Sequence, residues 1–155
     1  VSITSLCTFI EGAGIVHILC HGVEADAGLY LQLAANELGK FRPSDVLAWR
    51  LPGQPLVFVN ACSSGAASSS AAGLTTFGTN FLRAGASIYI GTLATVATDS
   101  ALKFATEFFD ACLGDGLSVA DAMNRVRKSM AGSADPSWRL YSLYGDLRFA
   151  TSSIQ

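Results

Sequence analysis

Leu56-Val57-Phe58-Val59 is an unbroken run of β-forming apolar residues that stops at Asn60-Ala61-Cys62-Ser63-Ser64-Gly65. The run is too short for a helix and has no polar face, so it reads as a strand buried on both sides. Two-sided burial leaves few architectures open, chiefly a parallel sheet with helices on both faces. Such a strand delivers Cys62 to the rim of the sheet, where small residues let the chain turn. Open α/β sheets bind ligands outside the carboxyl ends of their strands. A thiol at that position is placed for chemistry as well as for packing.

The flanking sequence repeats the pattern. Ile15-Val16-His17-Ile18-Leu19-Cys20 is a second apolar run, ending at His21-Gly22. A loop bearing Glu24 and Asp26 is expected to follow, then an alternating segment, Leu29 to Leu33, fit for half of a hairpin. Ser87 to Gly91 is the third strand. Helices are expected at residues 4–12, from Ser44-Asp45 to Trp49, and from Thr75 to Arg83 before Gly85. Further helices run from Thr98 or Asp99 to about Cys112 and from Ser118 to Asp135-Pro136. Their inward positions include Leu102, Phe108, Val119 and Met123. Arg125, Arg127 and Lys128 suit the negative end of the last helix and read as a solvated face. Ser63 to Gly73, rich in Ser, Ala and Gly, reads as a mobile loop, and Trp138 to Phe149 as a short strand or turn.

Half of the 155 residues are hydrophobic and 14% are charged, which favours one domain over residues 1–155 with a real core. A net charge of −2 gives no footprint for nucleic acid. No apolar run approaches the roughly 18 residues of a membrane-spanning helix. Four cysteines (Cys7, Cys20, Cys62, Cys112) and two histidines form no zinc pattern, and no metal or other cofactor is implied. Reduced thiols and a cytoplasmic location are the simplest expectation.

His21 and Cys62 both stand at strand ends. In a parallel sheet those ends share one edge, so on nearby strands an imidazole and a thiol can face each other. A cysteine of ordinary pKa, about 8.5, is only a few per cent thiolate near neutrality. A histidine can assist it as ion-pair partner or base, and can then protonate a leaving amine. Gly22 lets backbone approach a substrate, and its N–H with that of Cys62 can serve a developing oxyanion. Plainer roles exist for each. Cys7, Cys20 and Cys112 read as packing, His17 as a hydrogen-bonded core residue, and His21 as either a base or a turn residue. Asp99 is either a helix cap or a substrate contact.

The segments Val16-His17-Ile18-Leu19-Cys20-His21-Gly22 and Val59-Asn60-Ala61-Cys62-Ser63-Ser64-Gly65 together resemble the paired signature of the CHAT family. CHAT domains belong with the caspase-like cysteine peptidases, alongside separase and the gingipains. The caspase signature likewise sets its histidine upstream of its cysteine. The likeness continues through Phe81-Leu82-Arg83-Ala84-Gly85-Ala86, Gly91-Thr92-Leu93, Asp99, Gly116 to Ala122 and Leu143-Tyr144-Gly145-Asp146.

The resemblance implies a caspase-like three-layer α/β sandwich and peptide-bond hydrolysis through a thioester. His21 and Cys62 would form the dyad, with Gly22 and the Cys62 amide as the oxyanion hole. Asn60, with Ala61 beside it, falls where caspases line the S1 pocket. Asp99 matches an acid that faces a basic P1 side chain in separases, so Arg or Lys is expected at P1. Metacaspases carry Asp where this chain has Asn60.

A caspase-like sheet has two strands before its histidine strand, whereas only about a dozen residues precede it here. The chain also starts Val1-Ser2, without an initiator Met. It therefore reads as the C-terminal part of a larger protein or as one chain of two. CHAT domains are often joined to tetratricopeptide or other sensor modules, so a regulatory protein partner is expected besides the protein substrate. Two rivals stand beside this reading. A ketosynthase-like turn resembles Asn60 to Gly65, but those enzymes place their histidines after the cysteine. A catalytically silent CHAT-like scaffold would bind partners and cleave nothing.

Overall fold

A computed structural model describes residues 3–26, 28–62, 68–70 and 73–146. In chain order the elements are α1 (Ile3–Ile10), β1 (Ile15–Leu19), β2 (His21–Ala25), β3 (Gly28–Gln32), β4 (Lys40–Phe41) and β5 (Leu56–Asn60). They continue with β6 (Ser68–Ser70), β7 (Gly73–Thr75), α2 (Phe77–Ala84), β8 (Ile88–Thr92), α3 (Thr98–Phe109), α4 (Val119–Met130) and β9 (Tyr141–Gly145). The main sheet has the order β1-β5-β8-β9. Its first three strands are parallel and β9 is antiparallel to β8.

Every residue of β5 is buried, because β5 lies inside the sheet and both of its faces are covered. Alternate side chains enter different layers. Val57 and Val59 join Val16 and Ile18 of β1 under Ile10 of α1 and Phe77 and Phe81 of α2. Leu56 and Phe58 join Ile88 and Ile90 of β8 under Phe104 and Phe108 of α3 and Met123 and Val126 of α4. The result is a three-layer α/β/α sandwich, as the sequence led us to expect. Each such side chain stabilises the fold by about 1.5–3 kcal/mol relative to exposure.

Local chemistry sets the helix ends. Thr76 Oγ1 accepts from the N–H of Thr79 at 2.9 Å and starts α2. Gly85 ends it at φ 116°, where a side chain would also meet the Leu51 carbonyl oxygen at 2.8 Å. Ser118 caps α4 through the N–H of Asp121 at 3.2 Å.

Several expectations need correction. The chain after His21 is strand rather than loop. β2 pairs antiparallel with β3, setting His21 opposite Gln32, so Glu24 lies on a strand. The small sheet β2-β3-β4 is a separate layer element that local alternation only half revealed. Within the segment read as a mobile loop, β6 and β7 form an antiparallel pair that takes Thr75 from the helix, while residues 63–67, 71 and 72 lie outside the described residues.

Leu102 is 62% exposed, because α3 turns Ala101, Phe104, Ala105 and Phe108 inward instead. His17 is exposed on β1, its ring stacked on Phe58 and tilted against Phe109, each ring centroid 5.2 Å away. The end of α3 passes into a π turn, Asp110–Gly114, which holds Cys112. A 3-10 helix at Pro43–Ala48 begins with proline at its first position and is closed by Asp45 accepting from the Arg42 N–H at 2.7 Å. Another, Pro136–Leu140, precedes β9, and Phe149 lies outside the described residues. Of the cations on α4, Arg127 is not simply solvated: it donates to the Tyr141 carbonyl at 2.7 Å and ties α4 to β9.

Candidate active site

β1 and β5 are neighbours, run parallel, and pair Leu19 with Asn60. Two residues beyond that pair stand His21 on one strand and Cys62 on the other. Their equal offset follows from the register, since parallel strands in step deliver matching positions to one rim. Both side chains line a single cleft of about 260 Å³. Leu19, Cys20, Asn60 and Ala61 contribute from the same two strand ends, and Val96, Thr98 and Ala101 from the start of α3 and the turn before it. His21 is exposed, whereas Cys62 is half-buried.

The Cys62 side of the cleft is clamped from three elements. Asn60, 4% exposed, donates through Nδ2 to the Ala101 carbonyl of α3 at 3.0 Å. Its Oδ1 accepts from the Tyr141 hydroxyl of β9 at 2.9 Å. Thr92, at the end of β8, donates to the Ala61 carbonyl at 2.5 Å. Burial pushes the Tyr141 phenol well above its ordinary value, partly offset by the bond to Asn60, so it stays a neutral donor. Asn60 thus lines the cleft with its amide already engaged by protein.

Gly22 is packed directly on the peptide of Cys62. A methyl group there would stand 1.9 Å from the Cys62 carbonyl oxygen and 3.2 Å from its nitrogen. Glycine is therefore required by close backbone approach, in addition to any part it plays toward a substrate. This contact joins the two strand ends.

Asp99 is not among the residues lining the cleft. It is exposed in the first turn of α3, between Thr98 and Ala101, which do line it. Nor is it the helix cap, since Ala97 occupies that position without a side-chain cap bond. A carboxylate in a first turn still interacts favourably with the helix dipole.

Cys20, read from sequence as packing, does pack against the core under α1 and α2, and it also borders the cleft that Cys62 lines. Its thiol is pushed up to about 11 by burial first and by the charge of Cys62 second. Sequence reasoning also missed Thr92 and Tyr141. Thr92 ends a strand on the functional rim, which was a usable signal. Nothing local announced that Tyr141 would reach Asn60. A larger depression, about 520 Å³, lies at the opposite rim where β5 and β8 begin, lined by Glu11, Arg50, Gln54 and Ser87 among others, with no cysteine or histidine.

The CHAT domain family matches residues 1–146. No curated protein matches the chain. Among solved structures, the Saccharomyces cerevisiae separase–securin complex is similar with a TM-score of 0.68 and 17% identity, over 94% of this chain and 9% of that one. The Arg-specific cysteine proteinase gingipain R is similar with a TM-score of 0.69 and 15% identity, over 97% of this chain and 36% of that one. The complex of Porphyromonas gingivalis RgpB pro- and mature domains gives 0.65 and 14%, over 97% and 37%. The chain therefore spans about a tenth of the separase chain and about a third of the gingipain chains, and at these identities the likeness establishes a shared caspase-like fold.

Proposed function

Since the chain belongs to the CHAT domain family, we propose that it is a cysteine endopeptidase in which His21 and Cys62 form the catalytic dyad. The observation that carries the proposal is that these two side chains, each two residues past the last pair of the adjacent parallel strands β1 and β5, line one cleft. The Cys62 sulfur attacks the scissile carbonyl carbon and forms a thioester. His21 takes the Cys62 proton and passes it to the departing amine as the C–N bond breaks; it then accepts a proton from the water that hydrolyses the thioester and returns it to the sulfur as the C–S bond breaks. The N–H groups of Gly22 and Cys62 hold the oxyanion in both steps.

The P1 side chain enters the cleft, and a basic P1 residue suits it. An aliphatic stem packs on Leu19, Ala61, Val96 and Ala101, and a cationic head meets Asp99 at the rim. What supports this is chemical: the described lining offers the stem apolar walls, and Asp99 lies in the turn that supplies Thr98 and Ala101.

Regulation by a protein partner or sensor module belongs to the same proposal. β1, which leads to His21, is the outermost strand of its sheet, and Leu19 is 63% exposed. A partner laid on that edge would hold the histidine side of the cleft in place. The alternative, a scaffold that cleaves nothing, is separated by one experiment. A peptide panel varied at P1 is assayed with the chain alone and with candidate partners, using Cys62→Ala as control. Turnover after Arg or Lys that vanishes in Cys62→Ala is expected. Turnover unchanged in that variant, or none under any condition, overturns the peptidase proposal. Activity indifferent to Asp99→Asn overturns the P1 assignment alone.

A further inference from the structure

The far wall of the cleft has a brace behind it. That wall is the chain from the end of β8 to the first turns of α3, and it contributes Val96, Thr98 and Ala101. A single 3-10 helix, Pro136–Leu140, holds it at two points. At one end of that helix, Leu140 accepts from the Leu93 N–H at 2.9 Å, just past β8. At the other end, Asp135 accepts from the Ser100 hydroxyl in the first turn of α3. The same carboxylate caps the 3-10 helix, taking the Ser137 N–H at 3.0 Å and the Ser137 hydroxyl at 2.5 Å. Five residues of 3-10 helix measure about 10 Å. The two anchors therefore grip the wall at separate places, and Val96 and Thr98 lie between them in the chain.

The opposite side of the cleft hangs from the same segment. Tyr141 follows Leu140 directly; its hydroxyl holds Asn60, and its ring stacks on Phe104 of α3 with centroids 3.7 Å apart. Asn60 in turn donates to the Ala101 carbonyl. Residues 135–141 thus fix both the wall and its spacing from Asn60. The Asp135 carboxyl is held below the ordinary carboxylate range by the Ser100 hydroxyl first and by Ser137 second, so it accepts these bonds as a carboxylate.

We propose that Asp135 is a positioning residue that sets the width of the cleft through Ser100, and with it the size of side chain the cleft admits. Its bond to Ser100 seats the turn that carries Thr98 and Ala101, and loss of the bond lets that turn swing away from Asn60. The positioning role belongs to the cleft itself; only its consequence for P1 choice rests on the proposed peptidase reaction.

The test alkylates Cys62 in the folded chain with iodoacetamide and with an iodoacetamide carrying an N-phenyl ring, and follows each rate at Cys62 by peptide mass. The ratio of small to large reagent reports width without requiring cleavage of any peptide. Ser100→Ala and Asp135→Asn are each expected to lower that ratio about tenfold, the scale on which a pocket discriminates by size. They break one bond from opposite ends, so either suffices if the other fails to fold. Ser100→Thr, which keeps the hydroxyl, should hold the wild-type ratio. So should Ser118→Ala, which removes the cap of α4 in the same layer without touching the wall. A ratio unchanged in Ser100→Ala and Asp135→Asn, or an equal fall in Ser118→Ala, overturns the proposal. In the peptide panel, Ser100→Ala should raise KM about tenfold for Arg or Lys at P1, leave kcat within about twofold, and admit Phe. No turnover in the wild-type chain would count against the peptidase reading, while the alkylation ratio still decides the positioning role.

Discussion

The two strand ends that meet at the cleft are built differently. β5 is interior, wholly buried, and its end is fixed by bonds from α3, β8 and β9 through Ala101, Thr92 and Tyr141. Among the described residues β1 is the outermost strand of that sheet: Leu19 is largely exposed, His21 is exposed, and the chain leaves at once into a small separate sheet. One half of the site is held by the core and the other by a periphery. The difference teaches where such a site can be adjusted. Moving Cys62 would break buried hydrogen bonds, each leaving a polar group without water or partner at about 1–3 kcal/mol. On the His21 side, held among the described residues by the pairing of β2 with β3, fewer buried polar groups are at stake, so a signal that reaches this site is best applied there.

The strongest way to break the contrast is at the contact that joins the halves. Gly22→Ala would force the β1 side away from Cys62, because its methyl group would overlap the Cys62 carbonyl. We expect a loss of about 100-fold or more in kcat/KM for the proposed peptidase reaction, since displacement by an ångström would disrupt the proposed dyad and oxyanion hole. The stability cost should be about 1–3 kcal/mol, because the periphery can yield. Peptide turnover and urea melts measure the two; a larger stability loss with normal turnover would show that the halves are not separable as described.

Tyr141→Phe tests the fixed half. It strands the buried Oδ1 of Asn60, so we expect a loss of about 1–3 kcal/mol in a denaturant melt. The activity loss should be smaller than for Gly22→Ala, because Thr92 still holds the Ala61 carbonyl. A melt unchanged within error would mean that the clamp does not bear on stability.

His17 gives the smallest and most peripheral effect. Desolvation of its ring, packed against Phe58 and Phe109, holds its pKa below the ordinary 6.5. It stays neutral in the fold over a window in which the unfolded chain is protonated. The stability so contributed is complete above 6.5 and is lost as pH falls through the window toward the folded value. Replacing His17 with Leu should flatten the fall in stability between neutral and mildly acid pH, read by urea melts across that range. An unaltered slope would assign the acid sensitivity elsewhere.

Much of this was written locally. The run from Leu56 to Val59 declared a strand buried on both faces, and Gly85 after α2 and Ser118 before α4 marked helix ends, whereas α4 stops at Met130, five residues before the break read at Asp135-Pro136. The positions of His21 and Cys62 at strand ends were legible for the same reason, because a strand's end is a local event. Leu102 shows where the reading fails. An apolar residue at helical spacing can still point outward when the small residue beside it fits the core better. The hairpin at β6 and β7 was invisible because Ser and Gly carry no hydrophobic period to read.

The sequence alone determined the three parallel strands β1, β5 and β8, which helices flank them, and which reactive side chains sit where β1 and β5 stop. Hydrophobic periodicity and turn chemistry act over a few residues, and these features need nothing more. Only the tertiary structure decided that β1 lies beside β5 in register, that Tyr141 reaches Asn60, and that Cys20 opens onto the same cleft as Cys62. Those are meetings between segments far apart in the chain, set by strand order and by how two layers close on a sheet, and no local pattern records them.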